Sequence, residues 1–191
     1  MRILGIDPSL TATGLALIDD GNWTWGTTLR PGERRGGDRL WWLGQGVSNA
    51  VAGSLGADGI VAMEGYSFGS SYQRETLGEL GGVLRALLWG LHIPVVVLPP
   101  SAWRRQLLGP GWHHRLEGLD HKFHKAAIGP ELSRLWPLQL DGTHPDSLDS
   151  LEAWAVAFAV WQRIHGLYVP PLAKQKRKVR KGDRVEDLPS K

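Results

Sequence analysis

Short apolar runs separated by turn residues open the chain and predict β-strands. The runs at 3–6, 14–18 and 23–28 are separated by turn residues, with an Asp-Asp-Gly-Asn turn between the second and third. This pattern predicts one strand followed by a hairpin. Two further apolar runs, at 59–63 and 93–98, alternate with helical patterns and predict two parallel strands.

Apolar residues that recur every three or four positions predict the helices. We expect Asp38 to cap the first helix and Ser101 to cap a short third one. Pro145 should open the last helix and Gly166 should stop it. The predicted helices cover 38–55, 73–89, 101–108, about 119–128 and about 145–165. The order β-β-β-α-β-α-β-α…α predicts an α/β fold with a mixed five-stranded sheet and helices on both faces.

The composition narrows the class of protein. The chain has 191 residues, of which 42% are hydrophobic, so it can bury a core. It has no cysteine, which excludes a disulfide scaffold, a thiolate metal site and a cysteine nucleophile. No apolar run reaches the roughly 18 residues of a membrane helix. The opening MRILGID is typical of a strand rather than of a signal peptide, so we expect a cytoplasmic protein without a membrane partner.

The net charge of +3 is unevenly distributed. Residues 174–191 hold eight of the 22 basic residues and three of the 19 acidic ones, so the rest of the chain is slightly acidic. We expect a domain over 1–166 and a flexible basic tail over 167–191. Such a tail, with Lys176, Arg177 and Lys178, suits a polyanion such as DNA, although basic tails also serve only to solubilise a chain.

Four carboxylates are distinguished by their position. Asp7 and Glu64 each follow an apolar strand, and the carboxyl ends of strands are where sites form in open α/β sheets. Asp146 and Asp149 are three residues apart, a spacing that places both on one face of the last predicted helix. Taken singly, Asp7 could be a turn former and Glu64 a solvated acid at the end of a strand. Asp146 and Asp149 could simply complement the helix dipole. Together they predict a site for Mg²⁺ or Mn²⁺, in which two ions about 4 Å apart would act on a phosphodiester.

The segments that carry these acids resemble a known family. Gly-Ile-Asp-Pro-Ser…Thr-Gly at 5–14, Ala-Met-Glu at 62–64 and His-Pro-Asp-Ser-Leu-Asp-Ser-Leu at 144–151 resemble the three acidic motifs of RuvC-type Holliday junction resolvases, in order and spacing. The resemblance implies an RNase H-like fold, a homodimer, and a nuclease with two Mg²⁺ ions per site that nicks four-way DNA junctions symmetrically. Mn²⁺ would substitute for Mg²⁺. A small resolvase of this kind fits a phage as well as a bacterium.

The same resemblance assigns residues to the site. Asp7, Glu64, Asp146 and Asp149 would be metal ligands. His144 is a candidate for the helix cap, or for a group that supports the ligands or acts as a base. Lys122, which follows an insertion-like stretch at 109–118, would lie close to the scissile phosphate; the alternative is that it is a solvated lysine. Further DNA contacts are predicted for Tyr66 and Phe68 on a loop and for Arg74 on the helix that follows it. Lys125, in the same segment as Lys122, is a further predicted contact.

Other classes of function remain as alternatives. A YqgF-type RNase H-like nuclease acting on RNA shares the first strand motif and a late acidic helix, but it is usually shorter and has no basic tail. A fragment of an actin-like sugar kinase would need a second glycine-rich phosphate loop, which the sequence lacks. A non-catalytic DNA-binding module would leave the acids unexplained. Junction nicking in the presence of Mg²⁺ separates the resolvase from all three.

Overall fold

A computed structural model of the chain describes residues 1–65, 74–112, 121–136 and 147–168, with the backbone alone for 74–77 and 121–126. Within these residues lie five strands and five helices. The strands are β1 (Arg2–Asp7), β2 (Thr13–Asp19), β3 (Asn22–Leu29), β4 (Ile60–Glu64) and β5 (Val95–Leu98). The helices are α1 (Gly36–Ser54), α2 (Arg74–Gly90), α3 (Pro100–Leu108), α4 (His121–Leu135) and α5 (Leu148–Ile164).

The strands form one mixed sheet in the order β3-β2-β1-β4-β5. The first three strands are antiparallel neighbours, and β4 and β5 run parallel to β1. Asp20 and Gly21 close the β2–β3 hairpin with positive φ angles of 50° and 85°. That geometry matches the twist of paired strands, and it favours Asp-Gly at the two central positions. The predicted α/β fold and five-stranded sheet are confirmed.

The helices cover both faces of the sheet, because alternate residues of the central strands are apolar on each side. One face packs against α1 and α2, whose inward residues are Leu43, Val47, Val51, Leu80, Leu84 and Leu88. The other face packs against α3, α4 and α5, whose inward residues include Trp103, Leu107, Ile128, Leu132, Trp154 and Phe158. Helix α5 is buried along most of its length and forms the centre of that second layer.

Three predicted helix starts were wrong. Helix α1 begins two residues before Asp38, and its backbone ladder already includes a bond from the Arg39 N–H to the Arg35 carbonyl. Helix α3 begins at Pro100, before Ser101. Proline is favoured there because the N–H groups of the first turn have no partner within the helix, so the N–H that proline lacks is not missed. Helix α5 begins at Leu148, three residues after the predicted start.

The end of α5 agrees with the sequence prediction. Gly166 has a φ of +68°, a left-handed conformation that glycine adopts without strain. The Leu167 N–H then donates to the Gln162 carbonyl at 2.8 Å, which satisfies one of the last carbonyls of the helix. The proposed boundary at residue 166 and the tail beyond it stay predictions. In the part of the chain that the structure describes, no helix is long and apolar enough to cross a bilayer.

Candidate active site

Strand geometry directs two acids to the same place. Ile3 on β1 and Ala62 on β4 belong to the core that packs against α5. Side chains separated by two or four residues along a strand lie on the same face of the sheet, as Asp7 does with Ile3 and Glu64 with Ala62. Asp7 and Glu64 therefore point to the α5 side of the sheet. The two strands are parallel and pair Ile6 with Met63, so Asp7 and Glu64 occupy the next positions at the same edge.

Two glycines in the sheet allow α5 to lie directly on it. A Cβ atom at Gly14 would overlap the backbone carbonyl of Asp149, and one at Gly5 would overlap the carbonyl of Ala153. The absence of side chains at both positions brings the first turn of α5 against the carboxyl end of β1. Asp149 is thereby placed beside Asp7, although the two residues are far apart in the sequence.

The start of α5 is fixed by a serine cap. The Ser150 N–H donates to the Ser147 Oγ at 3.1 Å, and the Ser147 hydroxyl also bonds to the Thr28 hydroxyl of β3. The first turn of the helix is thus attached to the neighbouring sheet. The cap of α5 is therefore Ser147 and not His144 as predicted. Asp146 lies outside the described residues, so its place beside Asp149 stays a prediction.

Three carboxylates converge at this edge. Asp7, Asp149 and Glu152 each offer an oxygen, and the three oxygens lie within 4.8 Å of one another. Asp7 is 8% exposed, Glu152 is 4% exposed and the Asp149 side chain is 17% exposed. Like charges this close repel each other in a partly dry environment. The donor set, which consists only of carboxylate oxygens, therefore fits a hard divalent cation such as Mg²⁺ or Mn²⁺.

Helix α3 supports two of the acids from behind. The indole Nε1–H of Trp103 donates to Glu64 Oε2 at 2.7 Å, and Arg104 Nη2 donates to Glu152 Oε1 at 3.0 Å. Trp103 is fully buried, and the Arg104 guanidinium lies 5.0 Å from the centre of its ring. Consecutive residues of one helix therefore orient one acid from β4 and one from α5.

The predicted site residues fall into three groups. Asp7 and Asp149 come together, and Glu64 lies at the same edge without belonging to the cluster of three. The backbones of Arg74, Lys122 and Lys125 lie in α2 and α4, with their side chains outside the described residues. The remaining predicted residues lie outside the described ranges; these are Tyr66, Phe68, His144, Asp146, Lys176, Arg177 and Lys178.

Sequence reasoning missed Glu152, Trp103 and Arg104. A signal for Glu152 was present, since acids recur at 146, 149 and 152 with a constant spacing of three. Glu152 is also the last acid before a long apolar stretch of α5, where an isolated carboxylate needs a partner. The contacts of Trp103 and Arg104 had no such signal, because they depend on how α3 packs across the sheet.

An apolar depression among the described residues lies elsewhere. A cavity of about 480 Å³ is lined by Trp89, His92, Ile93 and Val95, near the end of α2 and the start of β5. The carboxylates lie at the carboxyl ends of the parallel strands, so this cavity is at the opposite edge of the sheet. It is separate from the candidate metal centre.

Two solved structures of RuvC share this fold. The T. thermophilus protein in complex with a Holliday junction substrate matches with a TM-score of 0.64 and 16% identity, over 87% of this chain and 96% of that chain. A second Thermus thermophilus RuvC structure matches with a TM-score of 0.63 and 16% identity, over 87% and 97%. No protein-family model and no curated protein matches the sequence. The chain therefore has an RNase H-like fold of the RuvC kind, and at this identity the likeness concerns the fold alone.

Proposed function

We propose that the chain is a metal-dependent endonuclease that resolves four-way DNA junctions by paired, symmetric nicks. The observation that carries the proposal is the convergence of Asp7, Asp149 and Glu152 within 4.8 Å at the sheet edge. The fold adds support, since it matches that of a RuvC bound to a Holliday junction substrate. Cytoplasmic recombination or repair of DNA would be the setting for such an activity.

The acids would hold Mg²⁺, or Mn²⁺ in its place, with two ions per site. Asp7, Glu64, Asp146 and Asp149 are the proposed ligands, and the cluster of three carboxylates adds Glu152 as a further candidate ligand. Bound divalent ions supply an activated water and stabilise the leaving oxygen of a phosphodiester. The protein's part is to hold its carboxylate oxygens at fixed positions, which the capped start of α5 and the indole of Trp103 support. Lys122 is the proposed contact to the scissile phosphate.

Paired nicks require two such centres, so we propose a homodimer. Helix α2 offers a suitable surface: added Cβ atoms at Gly78 and Gly82 would meet nothing within 4 Å, and Trp89 is 83% exposed. Light scattering of the full chain should give the mass of a dimer. Trp89→Arg should lower that mass, whereas a monomeric parent protein would contradict the dimer.

Cleavage assays with three substrates test the activity. The parent protein, Asp7→Asn and Asp58→Asn are incubated with a labelled four-way junction, a linear duplex and an RNA hairpin, in Mg²⁺ or EDTA. Asp58 is exposed and precedes β4, at the edge opposite the cluster, so its variant is a matched control.

We expect paired nicks in the junction from the parent and from Asp58→Asn. Asp7→Asn and EDTA should abolish them, because both remove metal binding. Preferential cutting of the RNA hairpin would favour the YqgF-type alternative. Full junction activity of Asp7→Asn would refute the proposed site.

A further inference from the structure

A second polar feature lies beside the candidate metal centre. A cavity of about 500 Å³ separates the β1–β2 connection from the segment that leads into α1. Leu10 and Thr11 line it on the first side. The second side consists of three arginines, Arg34, Arg35 and Arg39, together with Gly32 and the single acid Glu33. We call these three arginines and Arg30 the arginine cluster. None of these arginines is needed for the proposed metal site, and none belongs to the family motifs in the sequence.

The cavity stands at a fixed position relative to Asp7. The β1–β2 connection begins directly after Asp7, and hydrogen bonds lock it: the Ser9 N–H donates to Thr13 Oγ1 at 3.1 Å, and the Thr13 hydroxyl donates to the Ser9 carbonyl at 2.6 Å. Thr13 is fully buried. A loop tied in this way places the Leu10–Thr11 side of the cavity a few residues from the metal ligand.

Two of the arginines, Arg34 and Arg39, are also held in place. The Arg34 guanidinium lies 5.1 Å from the ring centre of Trp42 and donates to the Pro31 carbonyl at 3.0 Å. Arg39 Nε donates to the Arg34 carbonyl at 2.9 Å. Side chains anchored by part of the guanidinium lose less conformational freedom when the remaining N–H groups bind a ligand.

Arg30, just before the segment that lines the cavity, lies next to one of the carboxylates. Its Nη2 atom is 4.0 Å from Asp149 Oδ2, and its side chain is 61% exposed. Residues 30–39 thus carry four arginines against two acids, Glu33 and Asp38. Positive charge extends from the rim of the metal centre to the cavity, whereas the centre itself is acidic.

We propose that the arginine cluster binds the phosphodiester backbone of the DNA strand on one side of the cleavage position. The inference rests on the proposed nuclease function. Guanidinium groups match phosphate oxygens through paired N–H donors, and the Thr11 hydroxyl offers a further donor. The cluster carries cations and a hydroxyl rather than a flat apolar platform for bases, so it would position the strand without reading its sequence.

Salt dependence of binding tests the proposal. Dissociation constants for a four-way junction are measured with the full chain in EDTA, at several salt concentrations from roughly 50 to 200 mM. The parent is compared with Arg35→Gln/Arg39→Gln. The control is Arg2→Gln/Arg134→Gln, which removes two exposed arginines that pair with Asp19 and Glu131. Each lost phosphate contact should reduce the slope of log K against log salt by about 1.

We expect the cluster variant to lose about two units of slope and the control variant to keep the parent's slope. Equal slopes in all three proteins, or equal losses in both variants, would overturn the inference. Titration with inorganic phosphate is a second arm: phosphate binding that is lost in the cluster variant, with an unchanged DNA slope, would assign the cavity to free phosphate and also overturn it. If the parent bound no DNA at all, the proposed function itself would fail.

Discussion

The indole N–H of Trp103 should set the metal affinity of the candidate centre. Trp103→Phe keeps an aromatic ring but removes the donor that lies 2.7 Å from Glu64 Oε2. A hydrogen bond to a charged group contributes about 1.5–3 kcal/mol, which equals a factor of about ten to a hundred or slightly more. Loss of groups that orient metal ligands typically weakens binding by about 10- to 100-fold. We therefore expect Mn²⁺ affinity to fall by about tenfold or more.

Trp154→Phe is the matched control for this measurement. Trp103 of α3 and Trp154 of α5 are both fully buried in the same core cluster, so both variants lose similar volume and some stability, about 1–3 kcal/mol. The Trp154 Nε1 atom has no hydrogen-bond partner among the described residues, so this variant removes no bond to an acid. Only Trp103→Phe should change metal binding.

Mn²⁺ binding can be followed by electron paramagnetic resonance of the free ion, and unfolding by urea titration. Similar losses of stability with a metal affinity reduced only in Trp103→Phe would support the role of the indole. Unchanged affinity in a folded Trp103→Phe protein would refute it. An equal reduction in both variants would also refute it, because packing alone would then explain the effect.

Three further substitutions test how the site is assembled. Gly14→Ala should destabilise the fold by more than 2 kcal/mol, roughly the cost of overpacking, in urea titrations, whereas Gly53→Ala, in open space on α1, should be neutral or stabilising. Ser147→Ala should cost about 1 kcal/mol by the loss of the α5 cap; an unchanged midpoint would contradict that role. Arg104→Met should cost about 3 kcal/mol without metal, since it breaks the ion pair of buried Glu152, and Mg²⁺ should stabilise this variant more than the parent. If Mg²⁺ stabilised the parent and Arg104→Met equally, Glu152 would not belong to the metal centre.

Periodicity explains why much of the fold was predictable. The apolar runs of β1, β2 and β4 are buried, and the Asp-Gly turn could join only a tight hairpin, so strand order followed from local pattern. Helix starts were less predictable, because several residues near each start can accept a backbone N–H. Ser147 caps α5, and its hydroxyl also bonds to Thr28, which belongs to a strand far away in the sequence.

The sequence by itself determined the alternation of strands and helices and the positions of Asp7, Glu64 and Asp149, because these depend on residues close together in the chain. Only the tertiary structure decided which acids meet. Gly5 and Gly14 let α5 lie on the sheet, and this contact brings Asp7, Asp149 and Glu152 together. It also decided that α3 supports the acids through Trp103 and Arg104. Such contacts join residues separated by tens of positions, and their distances follow from packing rather than from any local pattern.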